Sequence, residues 1–476
     1  MRTLSFGRGF SFWLIAVGIF WSQSLWAGGL VLPFRGARAM SHGGAFVVSA
    51  DNLNSMWYNP ATLFRSSSWI AATVDIGLLK LDGEFRRADN ALVIARDPQF
   101  QNGFNTVKNS GGWFFDPAFA VGSNFTLKNF MFAFGVYGPY ASAKLKFPEN
   151  GPQRYSLIEA EPTIANFQLT ASWRPIKQFS IGVGLLLTNF SFRQDMKVST
   201  YPGIFGWAED QTLDALIRLK AKDNFNFGAI IGLWGSPVKG LELGFTYQTP
   251  INISAKGTLK LQIPSNYFYE DTTIEGQTVT FKTKLPQSIR AGIRYVMEGV
   301  FDIEFNYMWE QWSRHKSVVI SPSPQGSILF KNVPGIGDYL IKPFTIDEDF
   351  RDSHSFHLGA SYVVWRPYLE LRAGYFFETR SVPDRTMTVN TLNNHKHGIT
   401  VGISAKYWKF RLDVSYAHII VISRNVTTSE KRQVNPLYDE DTFDNYKDVD
   451  GLPTIVANGK YSMRYNIVAM ALSFVY

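Results

Sequence analysis

From Gly28 onward the chain alternates apolar and polar residues at period two, in runs of roughly ten residues or more broken by polar, Gly- and Pro-containing connections. In FSIGVGLLLTNF, Phe179, Ile181, Val183, Leu185 and Leu187 share one face, and Ser180, Gly182, Gly184 and Thr188 share the other. Phe301, Ile303, Phe305, Tyr307 and Trp309 oppose Asp302, Glu304, Asn306 and Glu310 in the same way. Leu412, Val414 and Tyr416 oppose Arg411, Asp413 and Ser415, and Leu369, Leu371, Ala373 and Tyr375 oppose Glu370, Arg372 and Gly374. A soluble sandwich would alternate too, but its second face would meet water and carry many Lys and Glu. Here that face holds Gly, Ser, Thr and Ala with scattered charges of both signs, while the apolar face carries large aromatics toward its ends. Small, mixed-charge residues suit a crowded polar lumen, and the aromatic-flanked face suits lipid. No window reaches 18 consecutive apolar residues, which excludes a helical membrane protein.

The pattern predicts an all-β, antiparallel transmembrane β-barrel of 14 strands: 68–86, 115–126, 129–140, 157–174, 178–195, 212–235, 240–262, 277–296, 300–320, 351–365, 368–380, 395–407, 409–423 and 459–476. Connections after even-numbered strands are tight, as at Leu127-Lys128 and at Ser236-Pro237-Val238-Lys239, and those after odd-numbered strands are longer and polar. Bacterial barrels have even strand numbers, short periplasmic turns and long outer loops, so both termini are expected in the periplasm. In the last strand Val468, Met470, Leu472, Phe474 and Tyr476 alternate with Ile467, Ala469, Ala471, Ser473 and Val475. A terminal aromatic on the lipid-facing register resembles the signal read by barrel-assembly machinery, an expected partner during biogenesis.

Residues 1–27 stand apart: Arg2 and Arg8 precede an apolar core from Phe10 to Trp21, and Ala27 closes a cleavage context, the pattern of a secretory signal peptide. Its removal lowers the formal net charge from +8 to +6, taking away two arginines. The remaining basic residues are scattered singly along the chain, which excludes a nucleic-acid footprint. The absence of cysteine removes disulfide scaffolds, zinc–thiolate sites and thiol nucleophiles. With 39 Phe, 21 Tyr and 13 Trp the aromatic content is high, as a lipid-facing wall with interfacial girdles requires.

Between Gly28 and Phe64 the alternation stops and small residues and turns replace it. Low charge together with Phe34, Met40, Phe46, Leu53, Trp57 and Leu63 argues for a folded plug of short helices and turns rather than a disordered tail. The expected organisation is thus a signal peptide (1–27), an N-terminal hatch (28–64) and a 14-stranded barrel (65–476).

The stretch RGARAMSHGGAFVVSADNLNSMWYNPATL, with its Asn59-Pro60-Ala61 triplet, resembles the amino-terminal hatch of the FadL family of outer-membrane hydrophobe transporters, which includes TodX-type aromatic hydrocarbon channels. NFMFAFGVYGPY, KLPQSIRAGIRY, FDIEFNYMWEQWS and ANGKYSMRY resemble further passages of the same family; Asn52 departs from it, where a second Asp is common. The resemblance implies outer-membrane transport of long-chain fatty acids or aromatic hydrocarbons. It further implies uptake from outside into an internal pocket, rearrangement of a hatch that includes Asn59, Pro60 and Ala61, and lateral exit at a kinked third strand. Gly135, Gly138 and Pro139 fall on that strand and are the expected lateral gate, Gly and Pro being residues that interrupt a ladder.

For a carboxylate head group, strand parity points Arg314 and Lys316 inward at the outer end of the ninth strand. By the same parity Arg290, Arg294, Asp302 and Glu304 face inward as a structural charge ladder, and Phe130, Phe132 and Phe134 face lipid. His395 and His397 share a face without a third ligand nearby, so no metal and no cofactor is expected. The enzyme alternative is an outer-membrane phospholipase with a Ser/His pair on the exterior, for which His418 is the residue to test; the other alternative is a general diffusion porin. A non-enzymatic monomer embedded among outer-membrane lipids and lipopolysaccharide is the preferred reading.

Overall fold

A computed structural model describes residues 35–138, 144–201, 206–324, 327–334, 337–435 and 454–476. The signal-peptide segment (1–27), the first residues of the hatch stretch (28–34) and Pro139 lie outside the described residues.

Fourteen antiparallel strands close into one barrel. They are β1 (Ala71–Arg87), β2 (Trp113–Ser123), β3 (Phe130–Tyr137), β4 (Glu159–Ile176), β5 (Phe179–Ser199) and β6 (Asp214–Val238). Next come β7 (Leu241–Gln248 and Ile251–Gln262), β8 (Thr278–Leu285 and Ser288–Met297) and β9 (Phe301–Glu310 and Ser317–Pro322). The circuit ends with β10 (Ser353–Trp365), β11 (Leu369–Glu378), β12 (Lys396–Tyr407), β13 (Phe410–Val426) and β14 (Gly459–Val475). Each pairs with its chain neighbours, and β14 returns to β1 in a continuous ladder from Ala71↔Val475 to Arg87↔Gly459. Closure leaves no sheet edge, which a bilayer requires because no water is available there to satisfy unpaired amides. Turns after even-numbered strands are tight, with Gly240 and Gly299 taking the positive φ (84° and 69°) that such reversals need. The three-residue segment Thr273–Glu275 and the strands Leu329–Val333 and Gly337–Leu340 form a separate small sheet in the long connections.

On the longer strands the two faces exchange character half-way along. On β14 the inward side chains from the short-turn end are Ser473, Ala471, Ala469, Ile467, Tyr465, Met463 and Tyr461; the outward ones are Phe474, Leu472, Met470 and Val468, then Asn466 and Arg464. On β1, Thr73 and Asp75 point in and give way to Leu79, Leu81 and Phe85, while outward Val74 and Leu78 give way to Lys80, Asp82 and Glu84. The expectation of a small, polar lumen is therefore corrected: it holds for the half nearest the short turns, while the other half is largely apolar inside and carries a few buried ion pairs such as Lys396–Glu378. The outward face is apolar where hydrocarbon would contact it and charged beyond. The inward face is polar where another polypeptide fills the lumen and apolar above it.

Three adjacent strands break at neighbouring positions. Thr249-Pro250 splits β7 and Pro286-Gln287 splits β8, each proline lacking the amide a ladder needs. Across these breaks the inward register slips, from Gln248 to Ile251 and from Leu285 to Ser288. In β9 a single 3₁₀ turn, Trp312–Arg314, interrupts the strand.

Candidate functional site

Residues 35–66 occupy the lumen at the level of the short-turn half. Helix α1 (Ala37–Ser41) begins after Gly36, and its first amide donates to the β1 carboxylate of Asp75 at 3.0 Å. Helix α2 (Ser55–Tyr58) leads into a 3₁₀ helix, Pro60–Ser66, capped by the Asn59 side chain, which accepts from the Ala61 amide at 3.0 Å. Such short helices would not persist alone. Two contacts hold them here, an apolar face on β1–β3 and a polar one around the rest of the barrel. Phe46, Trp57 and Tyr58 pack with Ala118 of β2 and Tyr137 of β3, and Leu53, Met56 and Leu63 pack with Ala71, Ala120, Met131 and Ala133.

Elsewhere the wall reaches in with hydrogen bonds to the hatch backbone. Gln168 donates to the Met56 carbonyl (2.7 Å), Arg290 to that of Trp57 (2.8 Å), Thr246 to that of Tyr58 (3.0 Å), and Ser172 and Ser180 both to that of Ala61 (3.0 and 2.9 Å). Glu304 accepts from the consecutive amides of Val48 and Ser49 at 2.8 Å each. Asn59 is fully buried, and its Nδ2 donates to Val47 within the hatch (3.0 Å) and to Leu233 of β6 (2.9 Å). Polar groups taken out of water are thereby paired, as stability demands.

Close backbone approach explains several lumen glycines. A Cβ on Gly182 would collide with the Pro60 backbone, one on Gly232 with Asn59, and one on Gly374 with His42 and Gly43. Any side chain at these positions would displace the hatch.

The electrostatic anchor is an inward cluster of both signs. Arg38 contacts Asp51 (2.5 Å), Glu370 (3.3 Å) and Asp413 (3.3 Å), while Arg372 contacts Glu370 and Asp413. Burial would raise the Asp51 carboxyl, but the Arg38 and Arg411 guanidiniums hold it well below the usual carboxylate range. Burial pushes the Tyr58 hydroxyl upward, so it stays a neutral donor to the Arg35 carbonyl at 3.0 Å. A polar cavity of about 140 Å³ lies between this part of the hatch and β8–β11, lined by Arg38, His42, Asp51, Arg294, Asp302, Glu370 and Arg372.

Above the hatch the lumen is mostly apolar, with a few buried ion pairs such as Lys396–Glu378 at 2.7 Å. Leu79 and Phe85, Phe190 and Phe192, Ile251 and Ile253, Phe281, Ile320, Ile419 and Tyr461 belong to one buried cluster contributed by strands all round the barrel and by the long loops. The interior is thus polar at hatch level and mostly apolar above it.

Near that boundary β3 ends at Tyr137. β3 pairs with β2 only from Phe119↔Val136 to Ser123↔Phe132, and with β4 only as far as Tyr137↔Asn166. Tyr137 is the last β3 residue described in the β4 ladder, which is next seen at Leu145↔Ala160. Gly138 follows directly on β3. A Cβ there would lie 3.2 Å from the Ile164 carbonyl and 3.6 Å from Nη2 of Arg35, and Arg35 binds Asp116 at 2.6 Å beside it. A small cavity of about 30 Å³ touches Arg35, Met40, Asp75, Asp116 and Ala118 at the same place.

The sequence-predicted residues divide accordingly. Asn59, Pro60 and Ala61 sit in the hatch against β4–β6, and Gly135 and Gly138 lie on and just beyond β3, Gly135 facing Met56. Arg290, Arg294, Asp302 and Glu304 do face inward; besides pairing with one another, as in Arg294–Asp302 at 2.9 Å, two of them bind the hatch backbone, a role parity alone does not reveal. The inward orientation expected for Arg314 and Lys316 is not found. The 3₁₀ turn resets the parity, so His315 is buried between them and both basic side chains are exposed. Phe130 and Phe134 are exposed on the outer wall. Tyr375 and His397 hydrogen bond to each other, and His418 bonds Asn466 at 2.9 Å. Gln168, Ser172, Ser180 and Thr246 were missed as hatch contacts. Their only signal was a polar side chain on an inward parity at hatch level.

A family model described as outer membrane protein transport protein (OMPP1/FadL/TodX) matches residues 18–453. No curated protein sequence matches the chain. The fold is similar to the crystal structure of a Pseudomonas aeruginosa FadL homologue, with 13% identity, 94% of this chain and 99% of that chain covered and a TM-score of 0.73. It is also similar to the Pseudomonas putida toluene transporter TodX (12%, 94% and 99%, TM-score 0.63) and to the Ralstonia pickettii toluene transporter TbuX (12%, 93% and 99%, TM-score 0.59).

Proposed function

The chain belongs to the outer membrane protein transport protein family (OMPP1/FadL/TodX), outer-membrane carriers of hydrophobic compounds, and from that premise we propose how this barrel moves its substrate. A long-chain fatty acid or an aromatic hydrocarbon enters among the long outer loops, settles in the apolar upper lumen, and leaves sideways through the wall at β3. The observation that carries this reading is the coincidence of a hatch bonded to the wall on many sides with the end of β3, where Gly138 lies against Arg35 of the hatch and Asp116 of β2. Transfer of an alkyl chain into water costs about 0.8 kcal/mol per methylene, so an exit into the bilayer avoids the step that a straight aqueous route would impose. The toluene transporters among the similar folds support an apolar cargo.

In this reading Gly135, Gly138 and Pro139 form the lateral gate, and Asn59, Pro60 and Ala61 move with the hatch. Arg314 and Lys316, exposed near the outer rim, meet a carboxylate before it enters. Residues 1–27 are a signal peptide, residues 28–64 the hatch and 65–476 the barrel; both termini are periplasmic and the barrel acts as a monomer. Its assembly depends on the barrel-assembly machinery, and the chain carries out no catalysis.

The absence of native cysteine makes the test clean. Ala118→Cys with Gly138→Cys should form a reversible bolt between β2 and the end of β3. Uptake of labelled oleate or toluene by proteoliposomes should fall on oxidation and recover on reduction. Uptake that is unaffected while the bolt is closed would remove the lateral route.

A further inference from the structure

We propose that the outward face of β6–β8 binds the phosphate groups of a phosphorylated glycolipid in the outer leaflet. The inference rests on the orientation given above, with the long loops outside.

Six lysines spread singly through the sequence converge there: Lys220 and Lys222 of β6, Lys256 and Lys260 of β7, and Lys282 and Lys284 of β8, all exposed. The register puts Lys222 directly opposite Lys256 and Lys260 opposite Arg218. Lys282 stands opposite Ser254, one diagonal step from Lys256, and Lys284 opposite Asn252. Like charges facing each other across a ladder are destabilising unless an anion joins them. Among the described residues no carboxylate lies within ion-pair distance of any of the six; Asp223 instead accepts the Ser254 amide at 2.8 Å. Several other outward charges at the same height are internally paired. Asp82 is shared by Lys80 (3.4 Å) and Arg464 (3.2 Å), and Asp195 binds Arg218 (2.6 Å) and Arg193 (3.0 Å).

The height and the chemistry select the occupant. On β6 the next outward aromatics toward the bilayer are Phe225 and Phe227, 60% and 79% exposed, which place an interfacial girdle immediately below Lys222. Lipid head groups sit just above such a girdle. Between the lysines the same face offers Asn252, Ser254, Thr258 and Thr280, so it supplies donors for sugar and phosphate oxygens and few acceptors for a cation.

The test uses the full chain in phosphatidylcholine nanodiscs containing a minor fraction of bis-phosphorylated lipid A or of its dephosphorylated counterpart. Lipid retention is read by native mass spectrometry. The wild type should retain the phosphorylated form, and added salt should weaken that retention. Lys222→Gln with Lys256→Gln and Lys282→Gln should lower it about tenfold or more, each cation near a charged membrane surface being a substantial contribution. Lys80→Gln with Lys460→Gln, on β1 and β14, should leave it unchanged. Heat-modified electrophoretic mobility confirms that the triple variant is folded, and its hydrophobe uptake reads the transport proposal separately. Equal retention by the folded triple variant, equal retention of dephosphorylated lipid, or competition by free inorganic phosphate as strong as by the lipid itself would each overturn the proposal, whatever uptake does.

Discussion

The Arg35 guanidinium lies 2.6 Å from the Asp116 carboxylate and so ties the first described hatch residue to β2 beside the end of β3. The arginine is nearly buried, and removing its counter-charge leaves an uncompensated cation. Asp116→Asn should therefore loosen this end of the hatch. Amide exchange in Ala37–Ser41 is expected to rise about tenfold or more, a tenfold change being roughly 1.4 kcal/mol of local opening. Exchange indistinguishable from wild type would show that the pair is not a latch.

Lumen glycines set how tightly the hatch can seat. Gly182→Val and Gly232→Val each place branched carbon where Pro60 and Asn59 already lie, and the rigid wall is less able to give than the hatch. Both variants should still assemble as barrels but conduct ions in planar bilayers far more often than wild type. Gly235→Val is the control on the strand that carries Gly232, since a Cβ there meets nothing closer than the Gln178 carbonyl at 3.7 Å. Closed bilayers with both lumen variants would refute this role for the glycines.

The barrel could be read from the sequence because its period is two and each strand meets lipid along one face; β5 and β14 appear as their alternation predicts. The failures have a common cause. Parity is a local rule, and it cannot register a strand break such as Trp312–Arg314, which turned Arg314 and Lys316 outward. Phe190 and Phe192 share parity with Gly182 and Gly184, but their aromatic character obscures that shared inward face because composition changes half-way up the wall. Hatch contacts such as Gln168 with Met56 depend on residues far apart in sequence and leave no local trace. The lysine face of β6–β8 escaped for the same reason: register, not spacing, assembles it.

Exposure of Arg314 and Lys316 changes what their removal should do. A cation at the rim acts mainly on encounter and is screened by salt, unlike one buried in a pocket. Arg314→Ala with Lys316→Ala should slow initial oleate uptake several-fold at low ionic strength, leave it near wild type at high ionic strength, and leave toluene uptake unchanged at both. Oleate rates identical to wild type at low salt would end the head-group role.

The connection after β9 carries a pH dependence whose sign follows from Glu348. Burial pushes its carboxyl from an ordinary 4.5 up to about 7, with Lys431 opposing and Asp347 reinforcing the shift. Its backbone is fixed, the amide donating to Lys316 at 2.8 Å and the carbonyl accepting from the Thr386 hydroxyl at 2.6 Å. Because the folded value lies above the unfolded one, protonation favours the packed loop. That contribution is complete below about 4.5 and is lost as pH rises through about 7. Amide exchange of residues 344–350, corrected for the intrinsic rate, should therefore increase from about pH 5 to about pH 8. Glu348→Gln keeps the shape without the charge and should hold the protected state across that window. A glutamine variant that still loses protection as pH rises would assign the dependence to another group.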